Sequence, residues 1–219
     1  MPRNARQAEP EAEAKAPTQY ERICDAAFHV LMERGYADAS TLEIATRARV
    51  SKRELYALFG GKQGILAAMI ASRAARMRLP LSLPSVSDRE QLGTVLGEFG
   101  REVIRGFGNP GVLAIFRLAI GEAKRSPELA EALETAGRQP NLAALTQLLA
   151  EAQARKLLPG GDAGALAAEF IGLLWSDLMI QLLLGIAPAP AEKEMSRRGR
   201  AAAQSFLTLH PAPEKRSVS

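Results

Sequence analysis

Cysteine occurs once in this 219-residue chain and histidine twice. The single thiol, Cys24, excludes an internal disulfide and fits a reducing compartment. With Ile23, Ala26 and Ala27 around it, it reads as a small buried hydrophobe rather than a nucleophile. His29 and His210 stand far apart in sequence and form no ligand cluster, so neither a metal nor another cofactor is expected. Catalytic fingerprints are missing too. "GNPGVLAIF" is glycine-rich but has neither the lysine nor the preceding strand that phosphate binding needs. The chain is therefore not expected to be an enzyme. Strand signals are nearly absent: there are no alternating β-branched runs and no hairpin dipeptides. The N-terminus is Pro/Ala-rich, of mixed charge and without an apolar run, unlike a signal peptide, which points to the cytoplasm. The most apolar stretch, "FIGLLWSDLMIQLLLGIA", contains Asp177 and Gln181. A charge near the bilayer centre is costly, so a buried helix is expected there and no membrane partner.

What is present is helix and a lopsided charge. Residues 1–80 hold 13 Lys and Arg against 9 Asp and Glu, whereas residues 81–219 hold 15 of each. Within Arg47–Arg78 the count is 8 basic residues against 1 acid, Glu54. Such asymmetry points to an N-terminal surface for a polyanion and a neutral C-terminal body.

Ser/Thr-x-x-Glu, in which each side chain satisfies the other residue's free backbone N–H, occurs at Thr18–Glu21, Ser40–Glu43, Ser51–Glu54 and Ser87–Glu90. Asn109-Pro110 and Ser126-Pro127 mark two further helix starts. Stops follow at Gly35, Gly60-Gly61, Pro80, Gly106–Gly108, Pro159–Gly161 and Pro188–Pro190. The fold class is all-α, with about nine helices. A disordered arm is expected over 1–16 and a helix-turn-helix domain over 17–63, with a linking helix over 62–79. A larger helical bundle over 80–210 and a disordered tail over 211–219 complete the chain.

The first four helices are short. The first places Ile23, Ala27, Val30 and Leu31 on one face. "TLEIATRA", a three-residue turn "RVS" and "KRELYALF" then read as helix, tight turn, helix, with Leu42, Ile44, Ala45, Ala48, Val50, Leu55 and Leu58 as interior positions. Ala45 allows close crossing and Val50 plugs the corner, making a wedge whose second helix suits a major groove.

"TLEIATRARVSKRELYALFGGKQGIL" resembles the DNA-binding signature of the TetR family of transcriptional regulators. Thr41, Ala45, Ala48, Val50, Ser51, Leu55, Tyr56, Phe59, Lys62 and Leu66 carry the match, which extends over Thr18 to Arg78. The rest of the chain is similar to the family in architecture, and to AcrR-like members through "RLAIGEAKRSPELA". The resemblance implies a ligand-responsive repressor that binds a palindromic operator in double-stranded DNA as a homodimer. A helical protein-interaction adaptor is the alternative.

Thr41 and Ser51 sit at helix starts, where hydroxyls and free N–H groups suit phosphate oxygens. Lys52 and Arg53 are placed for guanine contacts. Glu54 either accepts from cytosine or completes the cap with Ser51. By resemblance Tyr56 touches the DNA backbone; Lys62 opens the fourth helix after the double glycine. Arg49 replaces the glycine usual in the turn, and either strains the turn or reaches a phosphate. Arg73, Arg76 and Arg78 are expected to solvate the fourth helix.

In the body, Phe99, Val103, Phe116, Ile120, Leu149, Leu174 and Trp175 are candidates for the wall of a cavity holding an apolar or amphipathic small molecule, or are ordinary core. Asp177 pairs with Arg117, orients a cationic ligand or is solvated. The helices 163–187 and 192–209 are the candidates for the dimer contact, as the resemblance implies.

Overall fold

The computed structural model describes residues 16–76 and 84–213. All of the expected arm but Ala16, most of the expected tail, Pro80, Arg78 and the side chain of Arg76 lie outside the described residues. Among those described there are eleven α-helices, one π turn and no strand. The N-terminal group is α1 (Gln19–Asp38), α2 (Thr41–Ala48), α3 (Lys52–Phe59) and α4 (Lys62–Arg76). The body comprises α5 (Arg89–Phe107), α6 (Pro110–Glu122), α7 (Pro127–Leu133), the π turn Glu134–Arg138, α8 (Gln139–Ala154), α9 (Ala163–Trp175), α10 (Leu178–Leu184) and α11 (Glu192–Leu209).

Two of the four expected capping boxes form in full. The Thr18 N–H donates to Glu21 Oε2 at 2.8 Å, and the Glu21 N–H returns to Thr18 Oγ1 at 3.2 Å. Ser51 and Glu54 make the same exchange at 2.8 and 3.1 Å. At α2 only half of the box is made: Ser40 Oγ accepts from Glu43, while the Glu43 carboxylate turns to Arg47 at 2.9 Å. At α5 the start lies one residue later than expected. Asp88 is the cap, accepting from the Gln91 N–H at 2.9 Å, because a carboxylate at the positive end of a helix is a stronger acceptor than the Ser87 hydroxyl.

One core gathers Ile23, Ala27, Val30 and Leu31 of α1 with Ile44, Ala45 and Ala48 of α2, Leu55 of α3 and Ile65, Leu66, Met69 and Ile70 of α4. It continues into the body through Ile115 and Ala119 of α6 and Leu129 and Leu133 of α7. Leu42 and Leu58 do not join it: they are 63% and 52% exposed, against the expectation that both are interior. At about 100° per residue, Leu42 lies across the helix from Ile44 and Ala48. Leu58 is rotated about 60° from Leu55, beyond the reach of α1 and α2.

The second core joins α5, α6 and α8 to α11, with Phe99, Phe170 and Phe206 at its centre. There α5 and α11 cross in close contact. A Cβ at Gly199 would lie 2.3 Å from the Gly97 carbonyl oxygen, so only hydrogen fits at that crossing.

The single apolar helix expected over 163–187 is broken. Ser176 (φ 46, ψ −116) ends α9, and α10 leaves at 59°. Asp177 accepts from Gln181 Nε2 at 2.6 Å and does not meet Arg117. The Arg117 guanidinium instead donates to the Leu182 and Leu183 carbonyls, both at 2.8 Å. Those carbonyls end α10, where Leu182 otherwise accepts only the Gly185 N–H at 3.2 Å, so a cation there satisfies both hydrogen bonding and the helix dipole.

Candidate DNA-binding surface and ligand cavity

The turn between α2 and α3 carries the chain's main departure from the family pattern. Arg49 adopts φ 55, ψ 51, the left-handed conformation in which glycine is favoured. The Arg49 N–H donates to the Thr46 carbonyl at 3.2 Å and the Val50 N–H to the Ala45 carbonyl at 3.0 Å. This pair of bonds closes the helix end in the arrangement that ordinarily recruits glycine. The conformation is thus set by the cap, and a branched backbone position bears a cost of about 1 kcal/mol. In return the guanidinium is exposed beside the start of α3.

Ser51 caps α3, and the Glu54 carboxylate also accepts from Gln19 Nε2 at 3.3 Å. These bonds, chiefly from Ser51, hold the Glu54 carboxyl below the usual range. Of its two expected uses, the cap is formed. Lys52, Arg53 and Tyr56 are exposed on α3, with the Lys52 ammonium 5.6 Å from the Tyr56 ring centre. Arg53 and Ala57 lie farthest from the buried Leu55. Ala57 is absent from the sequence-based candidates, although the helical period alone would have placed it there.

Thr41 is the first residue of α2 and half-buried. Since Ser40 supplies the cap, the Thr41 hydroxyl has no protein partner among the described residues. Lys62 is half-buried at the first position of α4, two residues after Gly60 (φ 72), which turns the chain out of α3.

The basic surplus divides into committed and uncommitted charge. Arg47 is held by Glu33 at 2.5 and 2.7 Å and by Glu43 at 2.9 Å. The Glu33 contact chiefly raises the guanidinium's pKa and lowers that of the carboxyl. Arg73, expected to be solvated, pairs with Asp25 at 3.0 Å and lies 4.2 Å over the Phe28 ring, binding α4 to α1. Among the described residues, Arg49, Lys52 and Arg53 face no carboxylate.

In the body, a cavity of about 300 Å³ opens between α5, α6, the π turn, α8, α9 and α10. Val103, Phe116 and Trp175 of the sequence-based set line it. Phe99, Leu149 and Leu174 do not. They are almost fully buried in the second core, where Phe99 stacks toward Phe170 at 6.2 Å and Leu174 fills the space over Gly100. Ile120 is 61% exposed and borders a separate cavity of about 190 Å³, divided from the first by Phe116, Leu133 and Arg138. Composition could not make these distinctions, because all seven are large apolar residues on the correct helices.

The residues missed include Phe107, Asn141, Ile171 and Met179. Phe107 follows Val103 by four residues, a legible signal. It lies 4.7 Å from Phe116 and 4.8 Å from Trp175, ring centre to ring centre, so the wall is an aromatic cluster.

Comparison with known proteins agrees with both halves of this description. Residues 23–69 match the model of bacterial regulatory proteins of the tetR family. Residues 94–210 match the C-terminal domain of AefR-like transcriptional repressors. A TetR transcriptional regulator from Agrobacterium tumefaciens is 32% identical, with a TM-score of 0.76 over 90% of this chain and 96% of that one. The flavonoid-responsive regulator FrrA is 27% identical, with a TM-score of 0.77 over 90% and 98%. SrpR of Pseudomonas putida, an HTH-type transcriptional regulator, is 38% identical over 66 residues, which are 30% of this chain and 31% of that one. The chain spans less than half the length of the curated relatives it matches. With the helix-turn-helix and the helical body matched in one chain, the protein belongs to the TetR family of DNA-binding transcriptional regulators.

Proposed function

We propose that the protein is a homodimeric, ligand-released repressor that binds a palindromic operator through α2, α3 and the start of α4. Arg53 and Lys52 read base edges. Arg49, Ser51, Thr41, Tyr56 and Lys62 hold phosphates, while Glu54 keeps α3 capped and its free N–H groups aimed outward. The observation that carries the reading is the contrast around α3: its cations lack carboxylate partners, whereas neighbouring Arg47 and Arg73 are paired.

Two further features support the fuller mechanism. Ile180, Leu184 and Ile186 are 56%, 68% and 72% exposed, an apolar face suited to a second copy. The π turn borders the cavity through Gly137 and Arg138 and packs against α4 on its other side. An occupant therefore presses on an element in direct contact with the helix that leads to the reading head.

Selection of a binding site from random duplexes tests this function. The expected product is a palindrome with half-sites about one helical turn apart, bound with steep salt dependence. Recovery of no preferred sequence, together with salt-insensitive binding, would leave the adaptor reading in its place.

A further inference from the structure

Within the aromatic cavity, one polar group lacks a partner. Asn141, in the first turn of α8, is part of the wall, and its Oδ1 is shielded from solvent and accepts no hydrogen bond from the described residues. A buried acceptor left without a donor is destabilising, so a ligand that supplies one gains affinity. The terminal torsion of an asparagine is soft, so its amide turns toward the cavity at little cost. The rest of the wall offers few competing anchors. Phe107, Phe116 and Trp175 form the aromatic side, and the mouth charges are already matched: Arg138 with Glu134 at 2.6 Å and Glu102 with Arg105 at 2.5 Å. The volume, about 300 Å³, lies at the small end of ligand pockets.

From these observations we infer that the effector is a small, uncharged, planar aromatic compound of one or two fused rings, bearing one hydroxyl or N–H that donates to Asn141. This rests on the reading of the cavity as the effector site and adds the ligand's chemistry. The rings stack in the aromatic cluster, and the single donor satisfies the acceptor the protein leaves open. Charged ligands are disfavoured, since the two charged residues of the wall, Glu102 and Arg138, are already engaged by Arg105 and Glu134.

The test uses the full chain and three probes of similar shape: 2-naphthol, 2-methoxynaphthalene and naphthalene, titrated by calorimetry. 2-Naphthol has the donor, the methyl ether keeps the oxygen without it, and naphthalene has neither. The expected order places 2-naphthol about tenfold tighter than the other two, which bind alike. In Asn141→Leu that preference falls to about twofold or less, and Val103→Trp, which fills the cavity, weakens all three. Equal binding of 2-naphthol and its ether overturns the donor assignment while leaving the cavity as a ligand site. A preference unchanged in Asn141→Leu overturns the choice of residue. Failure of all three to bind removes the effector reading and this inference with it. The comparison of probes on the unmodified protein stands even where the variants fold poorly.

Discussion

In the body, five arginines pair with carboxylates along and between helices: Arg101, Arg105, Arg138, Arg197 and Arg198. Arg101 meets Glu98 at 2.8 Å and Glu192 at 2.6 Å, and Arg197 and Arg198 share Glu194 at 2.7 and 3.0 Å. At the α2–α3 turn Arg49, Lys52 and Arg53 have no such partners among the described residues. Polarity is inverted in the interiors as well. The head's core is close-packed and largely aliphatic, while the body encloses a cavity with an unmet acceptor. The head therefore gathers three unpaired cations around the start of one helix, and the body leaves space unmatched in its interior. Each shortage is where the proposed partner, DNA or effector, supplies what the chain withholds.

The comparison can be broken most severely at the α5–α11 crossing. Gly199→Ala drives a methyl group into the Gly97 carbonyl, and backbone cannot yield as a side chain does. A loss of about 3 kcal/mol is expected in chemical denaturation, at the upper end for overpacking. The reading head should keep its fold; loss of the α1–α4 signals in step with the body would show that the two regions do not unfold separately.

A smaller effect sharpens the charge contrast. Arg53→Ala should weaken operator binding by about 1–3 kcal/mol and relax preference at one base position. Arg47→Ala, already paired with Glu33 and Glu43, should leave operator affinity unchanged. Fluorescence anisotropy with the operator and with a duplex altered at that base separates them, and equal losses of affinity for both variants would erase the distinction between committed and free cations.

Arg49→Gly tests the turn. Removing the side chain from a left-handed position should stabilise the head by about 1 kcal/mol in thermal unfolding, while operator affinity falls as a phosphate contact is lost. A destabilised variant would mean that the arginine supports the turn rather than straining it.

The smallest effect concerns acid. Glu54 has its pKa lowered from the ordinary 4.5 by its bonds to Ser51 and, less, to Gln19. A lowered folded value means the cap's contribution is complete above the ordinary value and disappears as pH falls through the folded one. Glu54→Gln should therefore flatten the acid limb of the head's stability curve. In the body, Glu194, lowered to about 2 mainly by Arg197, should keep its pairing to still lower pH. A carbon-detected titration in which Glu194 titrates near 4.5 would contradict that assignment.

The reading head was largely legible from sequence because its determinants are local. Ser51 and Glu54 cap α3 from three residues apart, and the left-handed position fell on Arg49, the residue marked by its departure from glycine. What failed there were the flanks: Leu42 and Leu58 are apolar yet exposed, since two-turn helices are covered on one side only. The body was less legible. Val103, Phe116 and Trp175 reach the cavity, whereas Phe99, Leu149 and Leu174 belong to solid core. The difference depends on how α5, α8 and α9 rotate against one another. The break at Ser176 was also hidden, as no proline or glycine marks it.

By itself, then, the sequence determined the helical class, the cap positions, the helix-turn-helix and the sign of its surface charge. All of these arise from interactions within a few residues or from composition. Only the tertiary structure decided which arginines are free, where the cavity lies and that Asn141 stands in its wall. Pairing, voids and unmet hydrogen bonds depend on which helix faces meet, and in this chain those faces come from segments far apart in sequence.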